Sequence, residues 1–422
     1  MSRVIIDAMK IAYHLKIFPV LSQTFIGREI AALLDAGLQC VVIRKFVGTT
    51  DMADPSVERV MPLVRTFFAL DPKVFRRRYA YFLFRHPVRT VRVWEQIVST
   101  RYASTKSRDE DTNLFYRVLY LAGMVRDEDI THLHAPWADY AAFEAKLAAQ
   151  LAGISYSVQA RAGYDIYSTH SNQGLVEKLS GARFIITNSE YNRTHLASLL
   201  GEAAPPIHVI YNGVDVEQFK PRAQKTAGVP RIVCIARIVE MKGLDHLLRA
   251  CVVLRERGIS FQCDIFGGKS EFYQHHAHYH DTLMAFYRTL GIEAQVRFRG
   301  ALSPRDVAKE MLASDVVVLP SVIASDGARD VTPNVLLEAM ALGVPVVSTT
   351  VAAIPELVTH DVEGLLVPPG DHVALADALE RVLSDAALRS SLGNAGRKRV
   401  EATFDLAKNT RARKALFDAL TV

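Results

Sequence analysis

With 422 residues, 50 Lys or Arg against 45 Asp or Glu and a formal net charge of +5, the chain is too long for one ordinary core and predicts two domains of roughly 200 residues each. Half of its residues are apolar and 23% are charged, which excludes a disordered chain, and the basic excess is too small to call for nucleic acid. No run approaches the ~18 apolar residues of a membrane-spanning helix, and the start of the sequence lacks the pattern of a signal peptide. Cys40, Cys234, Cys251 and Cys263 show no metal-type spacing, so a reducing, cytoplasmic setting is expected.

In chain order, short apolar runs at 11–13, 40–43, 130–133, 154–158, 184–187 and 208–211 read as strands separated by helical patterns. The theme repeats at 232–236, 262–266, 296–298, 316–319 and 344–347. Such alternation predicts an α/β chain with two parallel, doubly wound sheets covered on both faces. Between Arg65 and Lys106 stand ten Lys or Arg against two acids, Asp71 and Glu95, mixed with aromatics such as Phe67, Phe68, Tyr81, Phe84 and Trp94. That composition suits a helix lying on an anionic membrane surface, and equally a helix pair that buries its aromatics and solvates its arginines. The Asn212-Gly213 turn signal divides the chain. The expected plan is a first domain over 1–211, a linker over 212–229, a second domain over 230–404, and a last helix over 405–422 packing back on the first domain.

The residues with chemical promise cluster in the second half. Thr332 is a good N-cap and Pro333 a good first helical residue, so a helix is expected to start here with its free N–H groups offered to phosphate. Asp330 lies just before this helix and Glu338 within it, and carboxylates accept hydrogen bonds from sugar hydroxyls. The preceding run 316–319 is a buried strand, and ligands of open α/β sheets bind beyond the carboxyl ends of such strands. Arg237 and Lys242 follow the strand 232–236 and can neutralise a diphosphate at the same sheet edge. Gly267, in Phe266-Gly267-Gly268-Lys269, lets backbone approach a nucleotide. His276 and His280 stand one turn apart on a predicted helix but lack a third ligand, so no metal is expected. His132 and His134 are read as facing opposite sides of their strand, which makes them poor joint ligands.

Arg237 with Lys242, followed by Asp330 and Glu338 eight residues apart, resembles the retaining GT-B glycosyltransferases of the group-one family, the glycogen-synthase and mannosyltransferase type. The segment PNVLLEAMALGVPVVS from Pro333 to Ser348 resembles that family's donor signature, and Ile354 to Val358 and Glu363 to Asp371 resemble its continuation. Phe18 to Ile26, His132 to Ala135 and Ala160 to Tyr167 are similar to the bacterial exopolysaccharide and colanic-acid-type members.

The resemblance implies two Rossmann-like domains facing a cleft, with nucleotide-sugar donor in the second and a saccharide or lipid-linked acceptor in the first. It implies that Glu338 binds the ribose, Asp330 the transferred sugar, and Arg237 and Lys242 the diphosphate, assisted by N–H groups near Asn334 and Val335, with 210–215 in the hinge. It further implies retaining transfer of a hexosyl-type sugar in exopolysaccharide or cell-surface polysaccharide synthesis, without cofactor or metal, in the cytoplasm or at the inner face of the cell membrane. Two departures stand out. Asp330 replaces a usual Glu, one methylene longer. Arg161 replaces a usual His, and Arg is no base at neutral pH; it can stabilise phosphate, donate to a hydroxyl, or pair with Asp165 or a neighbour. The alternatives are a nucleotide-sugar epimerase on the same fold and a catalytically silent nucleotide-sugar-binding partner.

Overall fold

The computed structural model describes residues 9–20, 23–48, 54–66, 71–99, 108–161, 163–168, 174–221, 228–268 and 277–420. The chain forms two compact units. The first comprises 1–188, 192–210 and 410–422; the second comprises 189–191 and 211–409.

In the first unit, Val- and Ile-rich segments form seven strands: β1 (Lys10–Phe18), β2 (Gln39–Val47), β3 (Val64–Thr66), β4 (His132–Ala135), β5 (Ser155–Ala160), β6 (Ile185–Thr187) and β7 (Ile207–Val209). They lie in the order β3-β2-β1-β4-β5-β6-β7, all parallel. Parallel strands covered by helices on both faces bury nearly every side chain, and β1 accordingly carries Ile11, Tyr13 and Leu15 to one core and Ala12 to the other. The order reverses between β1 and β4, where a doubly wound sheet opens a crevice.

β3 lies outside the expected strands. Its single strongly apolar residue, Val64, leaves little pattern to read. His132 and His134 share a face, as residues two apart in a strand must, so the opposite-sides reading is corrected. Ser157 Oγ sits 2.7 Å from His132 Nε2 and 2.8 Å from His134 Nδ1. Burial pushes both imidazoles down, His132 to about 3, so both stay neutral. The helix Leu406–Asp418 begins in the second unit and contributes Arg413 and Phe417 to the first. Phe417 is fully buried, its ring centroid 5.3 Å from that of His134 and 5.7 Å from that of Phe184.

The second unit repeats the plan with β8 (Arg231–Ile235), β9 (Gln262–Phe266), β10 (Val296–Phe298), β11 (Val316–Leu319), β12 (Val346–Thr349) and β13 (Gly364–Val367), in the order β10-β9-β8-β11-β12-β13. All pairings are parallel, and the reversal lies between β8 and β11. A single apolar core fills both faces of the sheet. The segment after the dividing turn is pinned inside this unit. Val214 bridges Asp405, and a Cβ on Gly213 would stand 2.5 Å from the Leu406 backbone. The four cysteines are free and buried. Among the described residues no helix is long and apolar enough to cross a membrane.

Candidate functional site

The site is built from the loops that leave β8 and β11, the two strands flanking the order reversal of the second unit. After β8 the chain makes a short 3-10 turn, Glu240–Lys242, and then enters the helix Leu244–Glu256 through Gly243. Gly243 has φ +60°, and a Cβ there would lie 2.0 Å from the Pro320 carbonyl oxygen, so only glycine lets the two loops meet this closely. They are also stitched together. The Val322 N–H donates to the Met241 carbonyl at 3.0 Å, and the backbone N–H and hydroxyl of Ser325 both donate to the Glu240 carboxylate.

This stitching brings Lys242 to Asp330. Lys242 Nζ donates to Asp330 Oδ1 at 2.6 Å, and Ser321 Oγ donates to Asp330 Oδ2 at 2.6 Å. Both carboxylate oxygens are therefore held, and the group is 7% exposed. Ser321 is itself fixed, because its carbonyl accepts from Thr349 Oγ1 at 2.6 Å. Ser321 was not among the expected site residues. Its only signal is its place directly after β11, in Pro320-Ser321.

The phosphate-type helix runs Asn334–Ala341, one residue later than expected. Pro333 stands outside it in extended conformation, and Thr332 does not cap it. The Thr332 hydroxyl and carbonyl instead face the Asn212 side-chain amide, at 3.3 and 3.5 Å, and Asn212 Nδ2 also reaches Asn334 Oδ1 at 3.0 Å. Asn212, read beforehand only as a turn residue, thus fixes the start of this helix. The terminal N–H groups at Asn334 and Val335 have no partner one turn back, as at any helix start. Both residues are half-buried, and so is Glu338, one turn further along the helix. Arg237 is half-buried directly after β8, in the same loop as Lys242. Arg329 Nη1 donates to the Tyr191 hydroxyl at 3.0 Å.

Gly267 belongs to the packing of this edge. A Cβ there would stand 1.8 Å from the Ala236 carbonyl oxygen, and its N–H donates to Gly300 O at 2.8 Å. Among the described residues no group of three or more His, Cys, Asp or Glu is placed to hold a metal ion. His275 and His276 lie outside the described residues.

Arg161 belongs to the first unit. Its guanidinium is 4% exposed as a residue and pairs not with Asp165 but with Glu29 Oε2, at 3.0 Å. It also donates to Gln159 Oε1 at 2.6 Å and to the Pro136 carbonyl at 3.3 Å, and it lies over the rings of Phe25 and Trp137. Arg413 reaches the same Glu29 oxygen at 3.3 Å, and Tyr13 donates to the other at 3.1 Å. Burial acts to raise the Glu29 carboxyl, but the two guanidiniums override it and hold the group below the ordinary glutamate range. Glu29 is a second residue that the sequence left unremarked.

Residues 215–399, nearly all of the second unit, match the family described as glycosyl transferases group 1. Over nearly its whole length the chain is 29% identical to a candidate colanic acid biosynthesis glycosyltransferase, WcaL of Escherichia coli (strain K12), covering 88% of this chain and 90% of that protein. It is 26% identical to the amylovoran biosynthesis glycosyltransferase AmsK of Erwinia amylovora, covering 94% and 96%. HepE of Anabaena, solved in complex with UDP and with UDP-glucose, shares the fold at a TM-score of 0.71 with 18% identity over 97% of this chain and 100% of that one. Matched domain, similar full-length proteins and paired parallel sheets point the same way: the second unit carries a match to the group 1 glycosyl transferases, and the two sheets have the GT-B arrangement that HepE shares.

Proposed function

We propose that the protein transfers a hexosyl-type sugar, with retention of anomeric configuration, from a nucleotide-sugar donor to a saccharide or lipid-linked acceptor in the synthesis of an exopolysaccharide or other cell-surface polysaccharide. The observation that carries this reading is the Lys242–Asp330 pair at the order reversal of the second sheet, beside the start of the helix Asn334–Ala341. Loss of a nucleoside diphosphate builds negative charge on the leaving oxygens and positive character on the anomeric carbon. Lys242, Arg237 and the N–H groups at Asn334 and Val335 stabilise the first; Asp330 accepts from hydroxyls of the departing sugar. Glu338 takes the ribose, and Gly267 keeps the strand edge clear for the nucleotide. Protein cations carry the diphosphate charge, so no metal or other cofactor enters the reading. HepE, a fold neighbour, binds UDP and UDP-glucose, and the relatives named above serve polysaccharide synthesis by their descriptions. Four buried free thiols fit a reducing, cytoplasmic setting.

The test is a thermal-shift panel of nucleoside diphosphates and nucleotide sugars on the native protein and on Glu338→Ala, since a ligand that binds only the folded state raises its melting temperature by mass action. One nucleotide sugar should stabilise the native protein and lose most of that effect in the variant. Equal shifts in both remove Glu338 from the site. With the selected donor and an acceptor, product NMR reads the anomer, and an inverted product defeats the proposed stereochemistry.

A further inference from the structure

The crossover from β3 to β4 carries a two-helix face that is at once apolar and strongly basic. The helices Pro72–Arg85 and Pro87–Ser99 meet at His86–Pro87 and bury Phe82, Val93 and Ile97 in the first unit. Arg78 is buried with them, its charge matched by Asp127 at 2.8 Å. The other side of the same helices leaves Phe84 84% exposed and Val88 61% exposed, with Val91 about half exposed. An outward Phe on a helix that has already buried Phe82 is not leftover core.

Six cations stand on the same two helices: Lys73, Arg76, Arg77, Arg85, Arg89 and Arg92, all exposed. Among the described residues none of the six forms an ion pair. The two carboxylates on these helices or at their caps are Asp71, which accepts from the Lys73 N–H as an N-cap, and Glu95. Elsewhere on this unit exposed arginines do find acids, as Arg59 does with Asp35.

We propose that this face docks the protein on an anionic lipid bilayer, with Phe84, Val88 and Val91 at the acyl boundary and the arginines on the phosphates. This goes beyond the donor-site reading and does not rest on it. Charge alone would suit any polyanion, but a polyanion gains nothing from an exposed Phe beside two valines; a bilayer interface uses both kinds of side chain. A second copy of this chain would set the same six cations against their counterparts, which repels.

The experiment is co-sedimentation of the full chain with vesicles of phosphatidylcholine alone or mixed with phosphatidylglycerol. Binding is expected on the mixed vesicles only, with release at high salt. Replacing Arg77, Arg85 and Arg92 together by Gln should weaken partitioning by about a hundredfold, or about fivefold per charge, the equivalent of ~1 kcal/mol each. Phe84→Ser should weaken it while leaving the melting temperature unchanged, since the side chain is outside the core. Phe84→Trp should show fluorescence quenched by brominated acyl chains beyond that of the parent. Absence of binding to the mixed vesicles overturns the proposal, as does binding that these variants leave unchanged. Charge-dependent binding without quenching of Phe84→Trp overturns it in favour of a polyanion, and a dimer dissolved by Phe84→Ser in favour of a second copy.

Discussion

Lys242 Nζ stands 2.6 Å from Asp330 Oδ1, joining residues 88 positions apart in the chain. The pair places a cation and a hydroxyl-accepting group side by side, and in the proposed function a diphosphate would compete with Asp330 for the ammonium. Lys242→Ala should therefore lower kcat/KM by about 10²–10³, the loss typical of one charge-stabilising group. Asp330→Asn keeps the shape and removes the charge, and it should lower kcat more than it raises KM. Steady-state kinetics with the selected donor checks both. Ser321→Ala, which frees one carboxylate oxygen, should fall between native and Asp330→Asn.

Gly243 is a more local test of the same arrangement. Its left-handed φ and the Pro320 carbonyl leave no room for a Cβ. Gly243→Ala is expected to cost roughly 1–3 kcal/mol of stability and to reduce activity further by moving Lys242. Urea unfolding and kinetics on the same preparation separate the two effects.

Arg161 is buried against Glu29, Gln159 and the rings of Phe25 and Trp137, contacts that lie within the first unit. Arg161→Ala leaves the buried Glu29 with Arg413 as its guanidinium partner and removes one charged hydrogen bond, so it should destabilise by roughly 1–3 kcal/mol. Glu29 adds a pH signature. Its folded-state affinity for protons is depressed, so its contribution is present above the unfolded carboxyl pKa and is lost as pH falls through the folded one. Acid unfolding should shift to higher pH in Arg161→Ala.

Asp165 predicts the opposite slope. Burial, then the neighbouring Asp139 carboxylate, pushes its carboxyl up to about 7. A raised carboxyl favours the fold when protonated, so this contribution is complete below about pH 4 and is lost as pH rises through about 7. Melting temperature should decline between about pH 4 and about pH 7 in the native protein, and Asp165→Asn should flatten that decline. An unchanged slope in the variant removes Asp165 as its source.

Much of the fold could be read in advance because buried parallel strands announce themselves as Val- and Ile-rich runs, as Val316 to Leu319 does. β3 could not, since Val64 is its single strongly apolar residue, and β13 also lies outside the expected strands. The site divides in the same way. Lys242 and Asp330 stand on the loops that leave β8 and β11, where an α/β sheet gathers ligands, and that position is visible locally. Ser321 and Asn212 act through partners that only the folded chain supplies; Asn212 meets Thr332 across 120 positions and Glu29 meets Arg161 across 132. The helix start at Asn334 was misplaced by one residue for a related reason, because Thr332 spends its hydroxyl on that distant amide rather than on a cap.

The placement of Phe417 bears on how the chain is made. Emerging from the ribosome, residues 1–210 hold all seven strands of their sheet yet lack the ring that packs against His134 and Phe184, and the second guanidinium that Glu29 binds. That unit reaches its final core only once residues 410–420 have been made, so a nascent chain stalled anywhere before residue 410 carries an unfinished first unit, open to chaperones and proteases alike.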